Sequence, residues 1–227
     1  MPTYDLAIDC RLRLSTGIGR YITELVPRVI AAFAERRIVL LGLRPDDPWF
    51  RERILPLGSK VATIASEARV FRLGEQRLYR KAAQQARVLW CTHFNVPCFL
   101  PRYTRLVGNV HDLIPLHVAR GWKGQVRRLG AALFLAAVRR NASRVFTLSN
   151  AVADELVREL NFDRERLHPI SLGVAPEWSR ASAEAAEGGA KPYVLYLGNI
   201  SPHKNVGALL AAFAEIAPQV PHQLVIV

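Results

Sequence analysis

Short runs of apolar residues along this chain alternate with longer stretches whose apolar positions recur every three or four residues. This alternation predicts strands and helices in turn, the βαβ pattern of a parallel sheet. Tyr4 to Cys10 reads as a first strand, Ile18 to Arg36 as a helix and Ile38 to Leu43 as a second strand. Pro27 removes a backbone donor and predicts a kink within that helix. The segment Arg44 to Gly58, rich in proline and charge, reads as a loop. A strand near Val61 to Ala65 and a helix near Gly74 to Ala86 follow it. Val88 to Thr92, Leu106 to Val110 and Arg144 to Leu148 read as further strands, with a helix over Gln125 to Arg140. Ser149 or Asn150 caps a helix that runs to about Leu160, and Asp154 and Glu155 early in it suit the helix dipole.

The small, polar run Ala181 to Lys191 reads as a linker or surface loop at a domain boundary. Residues 1–174 then form one Rossmann-like α/β domain. Residues 175–227 supply the linker and the first βαβ of a second: a buried strand over Tyr193 to Leu197, a helix over about Asn205 to Ala217 and a strand over Gln223 to Val227. Two strands and one helix leave an apolar edge unpaired, so the sequence reads as stopping within its second domain.

Charge divides the chain the same way. Residues 1–172 hold 28 Lys and Arg against 15 Asp and Glu, whereas residues 173–227 hold 3 against 4. The first domain therefore favours anionic partners. No acidic residue occurs between Asp112 and Asp154, while Arg120, Lys123, Arg127, Arg128, Arg139, Arg140 and Arg144 do. A second cluster comprises Arg72, Arg77, Arg80, Lys81 and Arg87. An anionic membrane surface fits such clusters. Nucleic acid does not, since aromatic residues are not interleaved with the cations and no binding module is evident. The apolar block Leu129 to Val138 is too short to span a bilayer and reads as a core helix with basic ends. Cys10, Cys91 and Cys98 form an odd set without a close pair, which suits a reduced, cytoplasmic setting. Asp5 and Asp9 in the first strand read against a secretory signal.

Four short segments carry candidate chemistry. Gly17, Gly19 and Arg20 follow the first strand and open a helix. Glycines there let backbone amides approach a phosphate, although Ile22 stands where a dinucleotide-binding loop has its third glycine, and an ordinary tight turn explains the pair equally well. His111 and Asp112 follow a strand at the edge where open α/β sheets bind ligands. Such a dipeptide standing alone is more often a turn. Ser149 reads first as a helix cap. Gly198, Asn199, His203, Lys204 and Asn205 lie in a strand, glycine-turn, helix sequence that brings a lysine and unpaired helix amides to one place, an anion site in outline.

Taken together, I-D-C-R-L-R-L-S-T-G-I-G-R-Y-I, V-H-D-L-I-P, F-T-L-S-N-A and Y-V-L-Y-L-G-N-I-S-P-H-K-N resemble, in order, the retaining two-Rossmann-domain (GT-B) glycosyltransferases of the group-1/family-four type. The P-H-K-N variant is similar to the mannosyltransferase-like branch. The resemblance implies transfer of a hexose, mannose for that branch, from a nucleotide diphosphate sugar to a glycan or lipid-linked acceptor with retention. It implies a first domain on the acceptor side and a second that holds the nucleotide sugar. Neither a cofactor nor a metal is expected beyond the donor itself. It places Gly17, Gly19 and Arg20 on a loop near the donor phosphates and acceptor, and His111 against the donor sugar and its phosphate. Asp112 is left to fix the turn or assist the acceptor hydroxyl, Ser149 lies near the same cleft, and Lys204 meets the diphosphate. Asn199 departs from the arginine that many members carry after the glycine. The family's paired glutamates would lie beyond Val227, so the 227-residue chain is itself expected to be inactive. The alternative is a non-catalytic Rossmann-like fragment that binds an anionic ligand or a membrane surface, peripheral at the inner face.

Overall fold

Seven parallel strands build the first sheet of the computed structural model, in the order β3-β2-β1-β4-β5-β6-β7. The described residues are 2–58, 60–101, 103–118, 121–174 and 191–227. They divide into two compact units, Met1–Ser171 and Leu172–Val227. The expected linker Ala181 to Lys191, apart from Lys191, and Arg120 lie outside the described residues.

In the first unit the strands are β1 (Tyr4–Asp9), β2 (Ile38–Leu41), β3 (Val61–Ile64), β4 (Ala86–Trp90), β5 (Arg105–Val110), β6 (Ala142–Thr147) and β7 (Leu167–Pro169). The helices are α1 (Gly17–Ala32), α2 (Leu73–Gln85), the short α3 (Ile114–His117), α4 (Gly121–Asn141) and α5 (Asn150–Leu160). Successive side chains of a strand point to opposite faces, so a sheet covered on both faces needs apolar residues at every position. β2, all four of whose residues are buried, shows this. Ile8, Ile38 and Leu40 pack with Ile22, Val26 and Ile30 of α1 on one face. Ala7, Val39, Leu41 and Leu89 join Tyr79, Leu135, Val138 and Leu156 on the other.

Several boundaries and two elements differ from the sequence reading. α1 spans Gly17–Ala32 with Pro27 inside it and ends four residues before the expected Arg36; Ile22, Val26 and Ile30 form its inner stripe on both sides of the proline. Phe50–Ile54 forms a wide π-helical turn and Leu55–Leu57 a tight 3-10 turn where a loop was expected; Phe50 and Ile54 anchor them in the core. α4 begins four residues earlier than expected, and only Ala131, Leu135 and Val138 of it are buried. Its apolar block is therefore not a core element throughout.

The second unit contains β8 (Tyr193–Tyr196), α6 (Val206–Ile216) and β9 (Gln223–Ile226), with β8 and β9 paired in parallel. β8 was expected to be buried and is not: Tyr193 is 56%, Val194 40% and Leu195 52% exposed. Two strands and one helix provide too few neighbours among the described residues to cover both faces of this small sheet.

Candidate functional site

In a parallel sheet, ligands gather outside the carboxyl ends of the strands where the strand order reverses. Here that point lies between β1 and β4. The chain leaves β1 toward β2 and β3 on one side, then crosses to β4, β5 and β6 on the other.

His111 is the first residue after β5 at this edge. Its Nε2 lies 2.8 Å from the Thr92 carbonyl oxygen, and the Thr92 hydroxyl donates to the Asp9 carbonyl at 2.7 Å. The ends of β1, β4 and β5 are thereby tied together. A carbonyl only accepts, so Nε2 carries the imidazole proton and Nδ1 presents a lone pair. Burial lowers the His111 pKa, against opposing contributions from the Thr92 carbonyl and Asp112, and favours the neutral ring at neutral pH. The ring is held from the side by Tyr21, edge-on at 5.0 Å between centroids. Tyr21 is itself fixed: its hydroxyl accepts from Asn109 Nδ2 at 2.8 Å, and Asn109 Oδ1 accepts from Trp90 Nε1 at 2.7 Å. Burial raises the Tyr21 pKa, so it remains a neutral phenol.

Through Tyr21 the first turn of α1 is brought beside His111. Gly17 and Gly19 differ in what they do there. A Cβ on Gly19 would fall 2.5 Å from the Arg13 carbonyl oxygen, so that glycine is required by the packing of its own loop. A Cβ on Gly17 would meet nothing within 4 Å, and its backbone is open to a ligand. Arg20 is exposed and lies 3.5 Å from Glu24 one turn on. Asp112 is exposed, and its Oδ1 accepts from the Ile114 amide at 3.0 Å, which shapes the turn into α3. Ser149 caps α5, accepting from the Val152 amide at 3.2 Å. His117, at the end of α3, sits 3.1 Å from Glu155 and 3.4 Å from Glu159 on α5 and clasps the loop that carries His111 to that helix.

Beneath this edge lies a buried polar network that the sequence reading did not foresee. Asp9, at the end of β1, accepts from Arg11 Nε at 2.9 Å and Nη2 at 2.7 Å. The same guanidinium reaches Glu75 Oε2 at 3.3 Å and the Tyr79 hydroxyl at 2.6 Å. The Tyr79 hydroxyl lies 2.8 Å from Asp9 Oδ2 and 2.6 Å from the Asn95 carbonyl, and donates its one proton to either. Asn95 Nδ2 donates to Glu75 Oε2 at 3.0 Å, and Asn95 Oδ1 lies 3.0 Å from His93 Nδ1. Two carboxylates thus share one cation out of water. Burial pushes the Glu75 carboxyl up despite Asn95 and Arg11, and its Oε1 has no partner among the described residues. Gly42, at φ +81°, leaves the space through which the Arg11 side chain passes. His93 stacks on His111 at 6.0 Å; burial and that neighbour lower its pKa to about 4. The sequence holds one local signal of this network, an aspartate ending a strand with an arginine two residues on. Glu75 and Tyr79, one helical turn apart on α2, become visible only in three dimensions.

In the second unit Gly198, at φ +152°, turns the chain out of β8, and its amide donates to the Val227 carbonyl at 2.9 Å. The Asn199 side chain accepts from the Ser201 hydroxyl at 2.9 Å, so it braces the turn. Pro202–Lys204 form one short helical turn. Asn205, in the left-handed conformation at φ 50°, then starts α6 at Val206. Lys204 therefore precedes the helix by two residues rather than opening it. His203 and Lys204 are exposed beside the first amides of α6.

Residues 15–178 match the family model of glycosyltransferase family 4. The chain belongs to that family. Its fold is the Rossmann-like α/β arrangement of GT-B glycosyltransferases. Sucrose-phosphate synthase from Thermosynechococcus elongatus superposes with a TM-score of 0.64 at 16% identity, over 98% of this chain and 62% of that one. HepE of Anabaena, in complex with UDP-glucose, superposes with a TM-score of 0.58 at 15% identity, over 98% of this chain and 60% of HepE. A glycosyltransferase from Rickettsia africae gives 0.51 at 11% identity, over 100% of this chain and 69% of its own. The chain thus spans about three-fifths of the length of the first two. No curated protein sequence matches it. Among the described residues, no helix is long and apolar enough to cross a membrane.

Proposed function

We propose that this protein transfers a hexose from a nucleotide diphosphate sugar to a glycan or lipid-linked acceptor with retention of configuration. The family match over residues 15–178 carries the reading. In the proposed reaction the bond from the anomeric carbon to the diphosphate oxygen breaks as the acceptor oxygen bonds on the same face. The acceptor proton passes to the departing diphosphate. The chemistry then asks the protein for cations and amides at the leaving group and for a rigid, neutral partner at the sugar, rather than for a nucleophile.

Lys204 and the amides of Val206 and Gly207 at the start of α6 suit the diphosphate, since a helix N-terminus and a cation act on it together. Gly198 and Asn199 shape the turn that presents them, and His203 and Asn205 flank the lysine. In the first unit, Nδ1 of the neutral His111 accepts from a sugar hydroxyl. The Thr92 carbonyl and the Tyr21 edge hold the ring so that little ordering is needed when substrate arrives. Gly17 offers an open amide at the same edge, with Arg20 as a further contact for an anionic group of the substrate. Asp112 keeps the turn after His111 in place, and Ser149 fixes the start of α5. Mannose is the sugar favoured by the P-H-K-N segment, and HepE, whose structure holds UDP-glucose, supports a nucleotide sugar as donor.

The test is transfer of radiolabelled sugar from a panel of uridine and guanosine diphosphate sugars to extracted glycans and lipid-linked oligosaccharides. Carried in a two-domain chain with a full second Rossmann-like domain, the protein should consume one donor and transfer its sugar with retention, whereas the 227 residues alone should turn over none. His111→Ala should lower turnover more than donor affinity. Transfer with inversion, or turnover indifferent to His111, would contradict the assignment.

A further inference from the structure

The outward face of α4 is unlike that of an ordinary surface helix. About its axis, Trp122, Val126, Leu129 and Leu133 fall within roughly 60° of one another. They are 80%, 51%, 63% and 65% exposed. The buried residues Ala131, Leu135 and Val138 lie on the opposite side. The helix is therefore apolar on two faces, of which the described residues cover one. The unused stripe is about 16 Å long at the rise of an α-helix. Lys123 and Arg127 border it on one flank, Arg128 and Arg139 on the other, and the helix carries no carboxylate. At its far end Arg140 lies 6.0 Å over the ring of Phe99, which is also exposed, and next to Phe99 runs a groove lined by Arg77, Arg80 and Tyr103.

We infer that this stripe of α4 lies in the interfacial region of an anionic phospholipid leaflet, with its leucines and Trp122 among the acyl chains and the flanking cations at the headgroups. The inference concerns the outward face of α4 and does not depend on which sugar is transferred. Charge decides the occupant. A lipid leaflet supplies an apolar layer and negative headgroups in the order that the stripe and its borders require. A second copy of this chain meeting the stripe about a two-fold axis would set five cations against five with no carboxylate on either helix. Trp122 and the Phe99–Arg140 pair mark the two ends, where aromatic rings and snorkelling arginines suit the boundary between water and hydrocarbon.

The experiment is sedimentation of the 227-residue chain with vesicles of phosphatidylcholine and phosphatidylglycerol, against phosphatidylcholine alone, across a salt series. The chain should bind the anionic vesicles. A fraction should stay bound at about 1 M salt, where the Debye length is near 3 Å and headgroup attraction is screened. Brominated lipid should quench tryptophan fluorescence in the wild type and much less in Trp122→Phe. Leu129→Ser with Leu133→Ser should cut binding at least about tenfold and abolish the salt-resistant fraction. Arg127→Glu with Arg128→Glu should abolish capture at low salt. The altered side chains are exposed, so thermal melting should move little, and melting curves of each variant check this. Absence of binding to anionic vesicles, or binding fully reversed by salt without quenching, overturns the inference. A concentration-dependent dimer dissolved by the leucine pair, with no vesicle binding, would assign the stripe to a second copy instead.

Discussion

His93 should make this fold acid-sensitive over a defined window. Its imidazole is largely enclosed, stacks on His111 at 6.0 Å and has its pKa lowered from 6.5 to about 4 by burial, then by His111. The folded value lies below the unfolded one, so the unfolded chain binds the extra proton between these limits. The stabilising contribution is therefore complete above pH 6.5 and is lost as the pH falls toward about 4. The whole shift corresponds to about 3 kcal/mol, of which about 2 kcal/mol should be gone by roughly pH 5. Against a total stability of about 5–15 kcal/mol this is a large fraction. His93→Gln keeps a hydrogen-bonding group but does not titrate. Glu75, held above the usual carboxylate range by burial, works in the opposite sense and stabilises the fold as the pH falls. It is present in both proteins and cancels in their difference. Urea unfolding of the wild type and His93→Gln at about pH 7.5 and pH 5 isolates the term. The wild type should lose about 2 kcal/mol more than the variant, a relative shift in midpoint on the order of 1 M urea. A direct histidine titration by NMR should place one resonance near 4. Equal losses in the two proteins, together with an NMR pKa near 6.5, would refute the burial argument.

Other variants probe different layers of the structure. Arg11→Met leaves Asp9 and Glu75 buried without their cation and should cost about 3–5 kcal/mol in denaturant titrations, whereas a surface arginine such as Arg144 should cost less than about 0.5 kcal/mol. Gly19→Ala should destabilise by about 1–2 kcal/mol, because its Cβ meets the Arg13 carbonyl oxygen, while Gly17→Ala should melt like the wild type. In a two-domain chain with a full second Rossmann-like domain, Lys204→Ala should weaken nucleoside diphosphate binding by about 2–4 kcal/mol in calorimetry with little change in melting temperature, since the lysine is exposed.

Much of this arrangement is written locally in the chain, and some of it is not. β1, β5 and α5 are legible because apolar runs and a serine cap are properties of neighbouring residues. His111 is legible for the same reason, being simply the first polar residue after a buried strand. β7, three residues long, has too short a pattern to read, and α3 is hidden by Pro115, which suggests a turn but also suits the first turn of a helix. The Asp9–Arg11–Glu75–Asn95 network joins residues from β1, α2 and the loop after β4. Nothing in the periodicity of those segments says which carboxylate will share the arginine. Gly19 reads equally as a phosphate-loop or a tight-turn glycine, and nothing in its neighbours says that a Cβ there would meet the Arg13 carbonyl oxygen. α4 shows a different limit: its Leu129 to Val138 block is apolar all round, so the sequence alone does not tell the buried leucine, Leu135, from the exposed ones, Leu129 and Leu133. β8 misleads likewise, since an apolar strand is buried only where other elements cover it.

The central proposal, that the Gly198–Asn205 turn of this member of glycosyltransferase family 4 binds the diphosphate of a nucleotide sugar, is tested most directly by amide chemical-shift titration. The isotopically labelled chain is titrated with uridine and guanosine diphosphate sugars, and separately with inorganic pyrophosphate. Saturable shifts are expected at Gly198, Lys204 and Val206 with one nucleotide sugar. Pyrophosphate should move only the Gly198–Val206 group, and Lys204→Ala should weaken both responses there. Saturable shifts confined to other surfaces, or none with any donor, would contradict it.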